Sequence, residues 1–160
     1  MTNVADHFIA GSRAYLSNKY LPKIERCVEA LSDEDIWWRA NAESNSIGNL
    51  LLHLNGNVRQ WILGGVGNMA VERNRQQEFD ERTMIPRAEL IEKLRHTIAE
   101  ADAVLANLDK TKLNGRRQIQ GRDVTALEAI YHVVEHFSMH AGQIFMLTKI
   151  RTARDMKLYA

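Results

Sequence analysis

Three histidines, His132, His136 and His140, recur at every fourth position of one segment of the chain. On an α-helix, steps of four stack side chains along one face, so two neighbouring imidazoles can grip a single cation. A further ligand must come from another element, and His53 is the candidate. A turn of about 100° per residue separates the histidines by direction. The apolar residues Ile130, Val133, Phe137, Ala141 and Ile144 define the inward sector. His136 and His140 lean toward that sector, whereas His132 leans away, toward Glu128 and Glu135. The same construction puts His53 at the border of an apolar face made by Ile47, Leu50, Leu54, Val58 and Trp61. Asn49, Asn57 and Gln60 share its stripe, and Gln143 shares that of His136 and His140. The candidate ligands are therefore His53, His136 and His140. His132, Asn49, Asn57 and Gln143 are expected to support the ligands or line a substrate cleft with apolar walls.

Neutral imidazole suits borderline divalent metals. Three protein ligands leave a position open for water or substrate, which marks a catalytic site more than a structural one. Such a cation lowers the pKa of a bound water or thiol, or polarises a carbonyl. A single cysteine, Cys27, excludes an internal disulfide and a cysteine-based metal cage, and it reads as an inert core thiol. The chain has no glycine-rich phosphate loop, HExxH motif or nucleophile elbow. Two readings compete with the enzyme: a non-enzymatic metal-binding protein of the stress-response or scaffold kind, and a bundle that happens to carry histidines.

Four segments with helical periodicity must position these residues. The first runs from about Val4 to Leu31, with Phe8, Tyr15, Leu16, Ile24, Val28 and Leu31 as its stripe and Pro22 as an expected kink. Ser32 to Asp35 has capping-box spacing and starts a short turn through Trp37. Trp37 and Trp38 are expected to plug one end of the bundle. The second helix starts after Asn45 or Ser46 and ends by Gly64, Gly65 and Gly67. Polar residues from Asn68 to Thr83 read as a long loop. The third helix spans Pro86 to about Leu108. Asn114-Gly115 and Gly121 suit a short extended excursion or a tiny hairpin. Thr125 and Glu128 form the capping box of the fourth helix, which continues to about Arg151. Four helices with one longer connection make an all-α four-helix bundle, a single domain over 1–160.

Composition narrows the partners. Apolar residues make up 45% and charged residues 26%, which suits a folded chain rather than a disordered one. With 21 basic residues against 20 acidic, the net charge of +1 gives no reason to expect nucleic acid. No apolar run approaches the roughly 20 residues of a membrane span, and the N-terminal residues lack a signal-peptide pattern. The expectation is a cytoplasmic protein.

The blocks Ser46-Ile47-Gly48-Asn49-Leu50-Leu51-Leu52-His53-Leu54 with Gly56-Asn57, and His132 to Ile144 with its histidine pair followed by Gly142-Gln143, resemble the DinB-like superfamily of bacterial damage-inducible proteins. The resemblance covers nearly the whole chain. It implies an up-down-down-up four-helix bundle, often a homodimer, with a nickel or zinc ion on His53, His136 and His140. In thiol-dependent members the metal activates a low-molecular-weight thiol for addition to an electrophile. The implied function here is thiol transfer to a small molecule.

Overall fold

Capping boxes set the starts of the helices that carry the site. In the computed structural model, which describes residues 3–158, Ser46 accepts from the Asn49 N–H and Thr125 accepts from the Glu128 N–H. Ser32 does the same with Asp35, as its spacing predicts. Each pairing satisfies an amide that the first helical turn leaves without an intrahelical partner.

Helix α1 is a continuous rod built from Val4–Ala14, a π-helical stretch Tyr15–Tyr20 and Leu21–Glu29. The expected kink at Pro22 is instead a widened turn just before the proline: the Leu21 N–H reaches back to the Leu16 carbonyl, a step of five. The buried positions record the same step, running Ile9, Ser12, Leu16, Leu21, Ile24, Val28 and Leu31. Tyr15, expected on that stripe, lies outside it and is exposed. After the short helix α2 (Asp33–Trp37), helix α3 spans Ile47–Val58 and continues as a π-helix through Arg59–Val66. A small helix α4 (Arg75–Asp80) precedes α5 (Arg87–Ala106). Strands β1 (Arg116–Ile119) and β2 (Arg122–Thr125) form an antiparallel hairpin, and α6 spans Ala126–Thr152.

Pairwise contacts give the directions of the four long rods. Arg13 meets Asp102 and Arg95 meets Glu25, so α1 and α5 are antiparallel. Tyr20 donates to Ser138, and Arg26 donates to the Met156 carbonyl beyond the end of α6, so α1 and α6 run parallel. His53 meets His136 and Asn57 meets His132, so α3 opposes α6. Thr97 donates to Asn55 and Arg59 pairs with Glu100, so α3 and α5 run parallel. The order is up, down, down, up.

Parallel neighbours impose a crossover. Between the end of α3 and the start of α5 the chain must return about 30 Å, the length of a twenty-residue helix. Residues 67–86 make that return along the flank of α3, and α4 lies on this path. One contiguous apolar cluster joins the four rods, with Ile24, Leu54, Leu94, Ile130, Phe137 and Ile144 at or near zero exposure. Among the described residues, no helix is long and apolar enough to cross a membrane. The hairpin turns through Gln120 and Gly121, both at positive φ, as a tight two-residue β-turn requires. Its Ile119 side chain sits where a Cβ on Gly65 would be, 2.2 Å from the Ile119 Cδ1. The hairpin is thereby seated on the π-helical end of α3.

Candidate metal centre

Convergence of α3 and α6 brings three imidazoles to one point. His53 Nε2 lies 3.0 Å from His136 Nε2, and His140 Nε2 lies 3.2 Å from the same atom. All three ligand nitrogens fall within 4.8 Å of one another. Two nitrogens bound to one cation at about 2.0–2.1 Å and a near-tetrahedral angle lie roughly 3.3 Å apart. His53 and His140 are buried, and His136 is half-buried at the wall of a cavity of about 420 Å³.

Outer partners fix which nitrogens face inward. His53 donates its Nδ1–H to Glu78 Oε2 at 2.8 Å, and His140 donates its Nδ1–H to Gln143 Oε1 at 2.6 Å. Both rings then turn a lone pair on Nε2 toward His136. Carboxylate and amide partners of this kind orient metal-binding histidines and raise their basicity. Buried His136 Nδ1 has no hydrogen-bond partner. Its proton can instead sit on Nε2, shared with two facing lone pairs, or return to Nδ1 and leave three lone pairs pointing at one place. A cation satisfies the second arrangement, so the donor set fits a divalent metal.

Glu78 is held with unusual completeness. Arg73 grips both its oxygens, Nε to Oε1 at 2.6 Å and Nη2 to Oε2 at 2.8 Å. The two side chains are only 5% and 11% exposed. Burial raises the Glu78 carboxyl pKa, but hydrogen bonds from Arg73 and His53 outweigh it and keep the group below its ordinary value. Asn49 serves this arrangement from behind: its Nδ2 donates to the carbonyls of Glu78 and Glu81, and its Oδ1 accepts from Arg39. Asn49 thus anchors the crossover rather than facing the cavity. Phe79 packs on the His53 ring, with centroids 4.6 Å apart.

His132 stands one turn away from the trio. Its ring lies on Trp61 at 4.2 Å, and its Nε2 is 3.3 Å from Asn57 Nδ2. The cavity is lined by His53, His132, His136, Asn57, Trp61 and the arginines and glutamine described below. It is far more polar than the apolar cleft the helical wheels predict. The apolar faces of α3 and α6 are spent on the core, and the opening is covered by the crossover and the hairpin, whose residues are polar. Trp37 takes no part: it donates to the Ile85 carbonyl and lies over Gly48. Trp38 stacks under Arg151. Cys27 is fully buried, and burial pushes its thiol pKa up.

The residues that periodicity does not reveal are Glu78 and Arg73. Both lie in the stretch read as a loop, and Arg73 stands out there only as one of several arginines. Two local signals were available: Asn74 caps α4 by accepting from the Gln77 N–H, and Gly56 sits inside a helix, where glycine is costly unless something approaches closely.

A family model described as "Protein of unknown function (DUF1572)" matches residues 3–159. The chain belongs to the DUF1572 family. This is a DinB-like family, in agreement with the resemblance carried by the histidine blocks. The crystal structure of a DinB-like protein from Bacillus cereus ATCC 10987 matches with a TM-score of 0.70 at 16% identity, covering 89% of this chain and 90% of that one. At that identity the likeness speaks for the fold. A comparison with curated proteins finds no match.

Acid gives this DUF1572 bundle a characteristic weakness. Burial lowers the pKa of His132, His136 and His140, that of His136 to about 3. Unfolded histidines protonate near pH 6.5, so below that pH the unfolded chain takes up protons that the folded chain refuses. Stability is then complete above about pH 7 and falls as pH drops, by about 1.4 kcal/mol per pH unit for each such proton. Carboxylates with lowered pKa, such as Asp102 and Glu78, destabilise the fold only below about pH 4.5. The urea midpoint of the metal-free protein is expected to fall between pH 7 and pH 5. A flat profile in that window would contradict the buried, neutral state of the histidines.

Proposed function

We propose that the chain is a divalent-metal-dependent enzyme that transfers a low-molecular-weight thiol to a small electrophile. His53, His136 and His140 are its metal ligands, and nickel or zinc is the cation. One observation carries the reading: three Nε2 atoms converge at the wall of a cavity large enough for a small molecule. When bound, the cation supplies Lewis acidity that favours the deprotonated form of a thiol at neutral pH. Glu78 and Gln143 hold the His53 and His140 rings in the tautomer that this requires. His132 supports the site beside the trio, its Nε2 facing the Asn57 Nδ2 at 3.3 Å. Trp61 packs against that ring at a tilt, with centroids 4.2 Å apart. The reading also includes a homodimer. Met139, Met146 and Ile150 lie exposed along one side of α6 that a second copy would cover, and a monomeric mass by light scattering would remove this part.

The test is conjugation of a panel of small thiols to 1-chloro-2,4-dinitrobenzene. The nickel- or zinc-loaded protein is expected to accelerate at least one pairing. Chelation with EDTA should return the rate to background, and added metal should restore it. Background rates across the whole panel with fully loaded protein would remove the transferase reading.

A further inference from the structure

The cavity beside the three histidines carries an excess of positive charge that the metal site does not need. Arg73, Arg75 and Arg122 line it, together with Gln120, and no carboxylate does. Arg73 is committed to Glu78 and to Gln60. Arg75 and Arg122 have no carboxylate partner among the described residues. Elsewhere, Arg13, Arg59, Arg95, Arg116 and Arg151 each meet a carboxylate, and Arg26, Arg39, Arg82, Arg87 and Arg117 each donate to a main-chain carbonyl. The Arg75 guanidinium lies 4.9 Å over the Phe79 ring and makes no hydrogen bond among the described residues. Arg122 follows the hairpin turn, whose seat on Gly65 and whose Gln120–Gln60 hydrogen bond fix it to α3.

The same wall holds unpaired polar atoms. Trp61 Nε1 and Asn57 Oδ1 are buried without hydrogen-bond partners, and both residues line the cavity. Buried polar groups are normally satisfied, and the unspent Trp61 N–H is a donor that suits an anion, whereas the Asn57 oxygen, an acceptor, does not.

We propose that this cavity binds its ligand through an oxyanion, a carboxylate or a phosphate, met by the Arg75 and Arg122 side chains that line it. Planar guanidinium forks match both groups, and contacts to an ionised acceptor are among the stronger hydrogen bonds. The inference names the substrate class of the proposed transferase and rests on that reading for the position of the ligand's thiol end. The anion contact itself can be tested separately.

The experiment is calorimetric titration of the nickel-loaded protein at low salt with 6-mercaptohexanoate, 6-mercaptohexan-1-ol, hexanoate and inorganic phosphate. The thiol acid is expected to bind ten- to a hundredfold more tightly than the thiol alcohol. The double variant Arg75→Gln/Arg122→Gln should erase that gap while holding the same amount of nickel. Equal affinity of thiol acid and thiol alcohol for the native chain, a gap that survives in the double variant, or no binding of any probe would overturn the proposal. Hexanoate binding as tightly as the thiol acid, with the same arginine dependence, supports the anion site and counts against the thiol transferase. Arginine-dependent binding of phosphate above hexanoate assigns the site to phosphate, and the reverse assigns it to carboxylate.

Discussion

His136→Ala is expected to strip the cation from the protein and leave the bundle folded. His136 is the central member of the trio, since its Nε2 is the atom that both other rings approach, at 3.0 and 3.2 Å. Four-ligand structural zinc sites bind with about 10–16 kcal/mol in all, so one ligand is worth roughly 3 kcal/mol, or a factor of at least a hundred in affinity. The metal-free fold depends on this ring far less. It is half-buried and neutral, and its Nδ1 makes no hydrogen bond, so removal breaks no satisfied polar contact at that atom. Its neighbour Phe137 is fully buried, and Phe137→Ala is expected to cost about 3–5 kcal/mol of stability without touching the ligands. The two variants therefore separate site from core. Elemental analysis after gel filtration, paired with thermal melting, reads both. Stoichiometric nickel or zinc in His136→Ala would mean that the cation is held elsewhere.

The part of this site that lies on helices was legible because a helix converts sequence spacing into direction. Steps of four put His132, His136 and His140 on one face, and their lean relative to Val133 and Phe137 separated His132 from the other two. The structure shows the same division, with His132 turned to Trp61 and Asn57. Caps at Ser32, Ser46 and Thr125 were equally local; the hairpin was legible only in part, because Gly121 does sit in the turn while Asn114-Gly115 lies ahead of β1 and Gln120, at positive φ, gives no signal by its residue type. The crossover was not legible. Helix α4 buries none of its residues, so it has no apolar period to detect. It is held by tertiary contacts instead: Asn49 grips the backbone of 78–81, and Arg73 grips Glu78. The polar lining of the cavity escaped for the same reason. A helical wheel describes the face a helix presents and says nothing of the segment that closes over it.

Gly56 is where that hidden segment and the visible helix meet, and Gly56→Ala is expected to weaken metal binding about ten- to a hundredfold. In the middle of a helix alanine is favoured over glycine by about 1 kcal/mol, so propensity alone predicts a more stable protein. Position decides otherwise for the site. A Cβ on Gly56 would lie 2.0 Å from Glu78 Oε1 and 2.8 Å from Arg73 Nε. The Glu78 carboxylate ends a flexible side chain, but Arg73 grips both its oxygens, so it moves only by giving up part of that pairing, a change outside the apolar core of the bundle. In doing so it leaves His53 Nδ1, the atom it now accepts from at 2.8 Å. The His53 ring loses the partner that fixes its tautomer and direction, and losses of this kind typically lower metal affinity ten- to a hundredfold. Glu78→Gln keeps the shape of the side chain and removes its charge, so it should weaken binding by a similar factor. If both act through the same hydrogen bond, the double variant Gly56→Ala/Glu78→Gln is no worse than the weaker single variant, a large departure from additivity. Competition titration with a chromogenic chelator measures all four proteins. Native affinity in Gly56→Ala, or two losses that simply multiply, would show that the close approach of Glu78 to α3 has no bearing on how His53 holds a metal.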